Sequence, residues 1–92
     1  MPKWSKPIGA MEPGDIVEAT YFVWNPLARW MMGSWEESGR QKFRVVTVLD
    51  LFDRDYPSKI EMLRHQYGDI ELLGYERRIV VLVPIGPFIP KE

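Results

Sequence analysis

The sequence predicts an α+β fold that is mainly β: a small four- or five-stranded antiparallel sheet or partly open barrel, with one short helix and extended N- and C-terminal arms. Three observations carry that expectation. Stretches rich in β-branched and aromatic residues recur at 15–24, 42–52, 69–73 and 76–83, separated by Pro, Gly and Asp turns. Only one segment outside the connections, beginning near Pro57-Ser58, has apolar residues at helical spacing. Both ends of the chain are rich in proline yet carry apolar side chains. The chain has 92 residues, enough for one hydrophobic core and too few for two. One domain is expected at 15–83, between an arm at 1–14 and a tail at 84–92.

Residues 15–24 place Val17, Ala19, Tyr21 and Val23 on one face and Ile16, Phe22 and Trp24 on the other, beside Glu18 and Thr20. Apolar residues on both faces imply a strand covered on both sides. The run that opens it, Pro13-Gly14-Asp15-Ile16-Val17, is similar to the way many SH3-like barrels begin, over about five residues. That likeness makes an SH3-like, partly open barrel one form of the expected fold.

Residues 25–39 separate the first two strands. Asn25 suits an N-cap, Pro26 the first helical position and Gly33 the residue after the last turn, so a short helix is expected at 26–32. Ser34 and Glu37 repeat capping-box spacing, and Ser38-Gly39 ends the segment. In the second strand, Phe43, Val45, Thr47, Leu49 and Leu51 alternate with Lys42, Arg44, Val46, Val48 and Asp50. After a polar turn at 53–56, Ser58 and Glu61 have capping-box spacing, and Ile60, Leu63 and Tyr67 form an apolar stripe that Gly68 terminates. A third strand at 69–73 turns at Gly74 into a fourth, whose run Ile79-Val80-Val81-Leu82-Val83 marks a central, doubly covered position.

Composition excludes several functions. There is no cysteine, hence no disulfide framework and no thiolate metal site, which fits a reducing interior. The longest apolar run, at 79–85, is far shorter than the roughly 20 residues of a membrane helix. No apolar segment follows the charged N-terminus as in a secretory signal. These features predict a cytoplasmic protein with no membrane partner, or a virion component if the source is viral. One asparagine and two glutamines beside eight prolines follow a trend of thermophilic proteins. The net charge of −1 supplies no global attraction for nucleic acid.

Three constellations remain as candidate sites. Leu27, Arg29, Trp30, Met31, Met32 and Trp35 crowd a connection between strands, where surface exposure is the rule. Trp, Met and Arg are enriched at interface cores, so these residues predict a protein-binding surface; the competing reading is a lid that buries them internally. Trp4 and Ile8 in the first arm, with Ile85, Phe88 and Ile89 in the last, predict arms that dock on the chain's own barrel or reach a neighbouring subunit. Trp35 with Arg40, Lys42 and Arg44, joined by Arg77 and Arg78, is the ingredient list for single-stranded nucleic acid, set against an ordinary solvated strand face.

Asp50, Asp53 and Asp55 lack the glycine and closing glutamate of a calcium loop, and the lone histidine, His65, lies off the helix stripe without a partner. No metal, cofactor or catalytic constellation is therefore expected. The leading expectation is a non-enzymatic protein-interaction or assembly module within a homo-oligomer or larger complex such as a virus particle. A nucleic-acid-binding small barrel is the alternative, and a toxin-like ribonuclease the third.

Overall fold

The computed structural model describes residues 2–92. Six strands form one antiparallel sheet: β1 (Pro2–Trp4), β2 (Ile16–Asn25), β3 (Ser34–Asp50), β4 (Glu71–Tyr75), β5 (Arg78–Pro84) and β6 (Ile89–Pro90). The order is β1-β2-β3-β5-β4, with β6 paired to β3, and the sheet curls into a half-barrel. Between the strands lie a one-turn 3-10 element at Ile8–Ala10, a short element α1 (Ala28–Met31) and one full helix, α2 (Tyr56–Tyr67).

The concave face holds the core. Val17 and Ala19 from β2, Phe43 and Val45 from β3, and Val80 and Leu82 from β5 meet Met11 there, all essentially inaccessible to water. On β5 the expectation of a doubly covered strand holds, since Val81 and Val83 are buried as well. On β2 it does not: Ile16 and Trp24 on the convex face are exposed, and so is Val23 on the core side, because the end of β2 runs beyond the core.

β3 departs furthest from its sequence pattern. It is 17 residues long, absorbing residues 34–39, which the sequence pattern assigns to the connection between the first two strands. Two bulges let it run that far. One lies opposite Tyr21 and Phe22, and the second leaves Val46 without a partner between Val45, opposite Leu82, and Thr47, opposite Val81. An extra residue moves every later side chain to the other face. Val48 consequently packs on the core, while Thr47 and Leu49 face the opposite way and, with Met62 and Leu63 of α2, line a groove. Leu51 and Phe52 fall outside the strand and are exposed.

α2 begins at Tyr56 with Pro57 in its first turn, and neither Ser58 nor Asp55 caps it by side chain. Ile60 is its one buried residue, Leu63 is half-buried and Tyr67 is exposed, so the predicted stripe is only partly used. Gly68, at φ 80°, ends the helix by donating its N–H to the Arg64 carbonyl at 2.8 Å. Gly74 lies within β4, and the hairpin turns instead at Glu76 and Arg77, with Glu76 at φ 52°.

Both ends of the chain dock on their own sheet. β1 pairs with β2 through Pro2 and Tyr21, Lys3 and Thr20, Trp4 and Ala19. Trp4 then meets the Phe43 ring edge-on at 5.3 Å. Ile8 packs against the core, and Arg78 donates to the carbonyls of Gly9 at 2.7 Å and Met11 at 3.1 Å. The 3-10 turn thereby reaches the far edge, where Gly9 lies tight against the Tyr75 ring. At the other end Ile85 donates its N–H to the Lys42 carbonyl, and Ile89 and Pro90 pair with Arg40 and Gly39. Phe88 sits over Gly39, edge-on to Tyr21 at 5.7 Å, while Ile85 and Ile89 stay exposed.

Two predictions follow from these attachments. A Cβ at residue 39 would lie 2.3 Å from the Phe88 ring and 2.6 Å from the Ile89 carbonyl oxygen. Gly39→Ala is expected to cost about 1–3 kcal/mol in urea unfolding, because backbone as well as side chain must move. Gly86→Ala, with open space around it, stays within about 0.5 kcal/mol of the parent; equal costs would refute the docking.

The second concerns Asp15, which accepts from Lys6 Nζ at 2.7 Å and from the Glu12 N–H at 2.9 Å. The Lys6 hydrogen bond first, and the Glu12 N–H second, hold its carboxyl below the ordinary value of 3.8. A lowered folded pKa means the contribution is present above the unfolded value and disappears as pH falls through the folded one. The thermal midpoint of Asp15→Asn should therefore lie below the parent's near neutrality and converge on it below about pH 4. A gap that stays constant into strong acid refutes this.

A projecting apolar hairpin and the convex face

β2 and β3 outrun their neighbours. Among the described residues the pairing of β1 with β2 reaches Tyr21, and the C-terminal tail leaves β3 at Ser38, whose carbonyl accepts from the Lys91 N–H. Beyond that line Phe22 to Asn25 pair only with Ser34 to Glu37. Among the described residues no third strand supports this ribbon, and a two-stranded ribbon alone is marginal in water. Trp24 and Trp35 are direct cross-strand partners, their rings edge-on at 5.5 Å. Trp24 also lies against Gly33, at φ 83°, where an added Cβ would fall 2.1 Å from the indole. Asn25 ties both strands, donating to Glu36 and accepting from the Leu27 N–H.

The tip between the strands is not the right-handed helix expected at 26–32. α1 has helix-like hydrogen bonds, with Met32 donating to Arg29 and Gly33 to Ala28, but Arg29 (φ 53°, ψ 51°) and Trp30 (φ 60°, ψ 41°) are left-handed, and Met31 has φ 72°. Each such residue costs roughly 1 kcal/mol or more. The turn is shaped by the need to connect two paired strands, which local capping signals do not register. Leu27, Trp30, Met31 and Met32 are 72%, 97%, 78% and 83% exposed, and Trp35 is 59% exposed. The structure therefore gathers all six predicted tip residues on one projection, with Trp30 at its most exposed point.

Trp35, Arg40, Lys42 and Arg44 share the convex face even though 35 and the even-numbered positions would alternate in a regular strand. The bulge near Ser38 restores them to one side, where they pair with Trp24, Thr20, Glu18 and Ile16. Carboxylates interrupt that strip: Arg40 lies 3.7 Å from Glu18 and 3.9 Å from Glu37. Arg78 is engaged with the N-terminal segment, and Arg77 lies over Phe52 at 4.7 Å near Asp50, so neither joins it. Phe22, which sequence spacing places on this face, and Lys3, brought there by the pairing of β1 with β2, help line a depression beside Trp35.

The acidic turn is locally satisfied. Asp50 accepts from the Phe52 N–H, and Asp53 accepts from the Asp55 N–H and, at 2.7 Å, from Lys59. His65 is exposed on α2. Among the described residues no three His, Asp or Glu side chains are grouped to hold a metal ion, and no helix is long and apolar enough to cross a membrane.

If the indole pair holds the ribbon together, a double-mutant cycle with Trp24→Ala and Trp35→Ala should give a coupling of about 0.5–1.5 kcal/mol in chemical denaturation. Trp30→Ala should show no coupling to either, and additive losses at 24 and 35 would remove the pair as the ribbon's support. No family model matches this chain, and no curated protein and no solved structure matches it either.

Proposed function

We propose that the chain is a non-enzymatic assembly module that docks the β2–β3 hairpin tip on another protein subunit, in a homo-oligomer or a larger complex. The observation that carries this reading is Trp30, almost wholly exposed on a ribbon that leaves the sheet. A large aromatic side chain placed in water gives up the burial free energy that dominates folding. Here it is also held in a costly backbone conformation. The setting matches an interface centre, where an aromatic anchor is ringed by adaptable apolar groups such as Leu27, Met31 and Met32.

A second reading is favoured by the alignment of Trp35, Arg40, Lys42 and Arg44 on the convex face, which suits stacking of bases beside phosphate contacts. The interleaved Glu18 and Glu37 weigh against it.

The test joins stability to association. Trp30→Ala should unfold within about 1 kcal/mol of the parent. A photo-crosslinking residue in place of Met31 should capture a protein subunit in the producing cell, and adding Trp30→Ala should abolish that capture. Destabilisation of about 3–5 kcal/mol would make Trp30 a packing residue, and capture of lipid or nucleic acid alone would refute the protein partner. Single-stranded DNA or RNA should bind no tighter than about 10⁻⁵ M near physiological salt. Submicromolar, salt-sensitive binding lost in Arg44→Ala would transfer the function to the convex face.

A further inference from the structure

The tip is convex, and a convex apolar knob is satisfied by a concave apolar receptor, because close packing leaves no voids larger than a water molecule. The molecule has such a receptor. Thr47 and Leu49 of β3 and Met62 and Leu63 of α2 wall a groove of about 240 Å³, with Lys59 and Gln66 adding polar atoms. An apolar cavity of about 150 Å³ takes up benzene, so this groove has room for the larger indole. Gln66 and Thr47 offer oxygen acceptors for an indole N–H, the polar group that a buried tryptophan needs to pair.

Knob and groove cannot meet within one molecule. Both are built on β3, the knob before Ser34 and the groove at Thr47 and Leu49. At about 3.3 Å per residue this stretch of strand is roughly 50 Å long, and the long axis of the whole molecule is 51 Å. They therefore stand at opposite ends of a paired, inextensible strand.

We infer that the partner of the tip is a second copy of this chain, bound head to tail, with Trp30 of one copy seated in the groove between α2 and β3 of the next. This rests on the assembly reading above and names its partner. Trp30, almost wholly exposed, offers about 150–250 Å² of aromatic surface to the groove, and the exposed Leu27, Met31 and Met32 flank it. The contact lies below the roughly 800 Å² per partner of a standard stable interface, in the range of weaker, concentration-dependent association. A contact between two different patches does not close on itself as a two-fold dimer does; it repeats into a ring or a filament.

Sedimentation equilibrium over increasing concentration tests this directly. The parent mass is expected to grow beyond two copies. Trp30→Ala, which keeps the groove, and Met62→Glu, which puts a charge into it at an exposed position, should each be monomeric alone. An equimolar mixture of the two should form a dimer and stop there, since only one knob and one groove remain to meet. Because the chain has no cysteine, Met31→Cys and Met62→Cys supply an independent check. When mixed and oxidised, they should give the 31–62 disulfide in excess over both homodimers.

If Met62→Glu assembles like the parent while Trp30→Ala does not, the groove is refuted and the assembly reading stands. A parent mass that stops at two copies, with 31–31 disulfides, overturns head-to-tail contact in favour of tip against tip. A parent still monomeric at about 1 mM refutes self-association, while a different protein captured at residue 31 would preserve the assembly reading. Failure of Trp30→Ala to alter any association removes both.

Discussion

Every other strand is positioned by β3. It pairs with β2 along one edge, and along the other with β5 and then β6. Only β1 and β4 are one strand removed. Two bulges allow a strand of that length to serve a curled body and a straight projection, because each bulge bends and twists the ladder without ending it. The first keeps Trp35 on the same side as Arg40; the second directs Val48 inward and Thr47 and Leu49 toward α2. Core, convex face and groove are thus consequences of where two unpaired residues fall along one strand.

The half-barrel still has to be closed, and the N-terminal segment does so. Trp4 against Phe43, Met11 in the core centre and Arg78 bonded to the Gly9 and Met11 carbonyls bring the first residues across the opening to the β4 side. Arg78 meets a simple need, since carbonyls in a non-strand segment against a core require donors from somewhere. Its guanidinium offers several in a fixed plane. The tail plays a smaller part, extending the β5 side of β3 and seating Phe88 on Gly39.

Much of the body was legible in the sequence because its signals are local. Val17, Ala19, Phe43 and Val45 follow strict alternation, the run from Val80 to Val83 announces a strand covered on both faces, and Gly68 ends its helix where expected. What was not legible depends on pairing. The alternation of Val46, Thr47 and Val48 carries no mark of the bulge, which only the register against β5 imposes. Asn25, Pro26 and Gly33 are good helix punctuation, but Trp24 facing Trp35 makes the connection a hairpin tip and forces Arg29 and Trp30 into left-handed geometry. Likewise Ser34 to Gly39 are strand because β2 lies beside them, although their own preferences suit caps and turns. The tip residues themselves were recognisable as unusual. Their sequence left an exposed surface and a buried lid both open, because the outcome depends on which strands lie beside the ribbon.

The order of the strands along the chain also bears on how the molecule acquires its shape. The β2–β3 hairpin joins neighbours in sequence across a short turn, whereas the β3–β5 and β3–β6 ladders must wait for the whole C-terminal half. Contacts between near neighbours form sooner because less chain entropy is lost in bringing them together. As a polypeptide leaves the ribosome, the residues of the hairpin and its apolar tip emerge before those of α2. The groove, built from the second half of β3 and from α2, is completed later. During synthesis the apolar tip is therefore exposed before the groove between α2 and β3 can be completed.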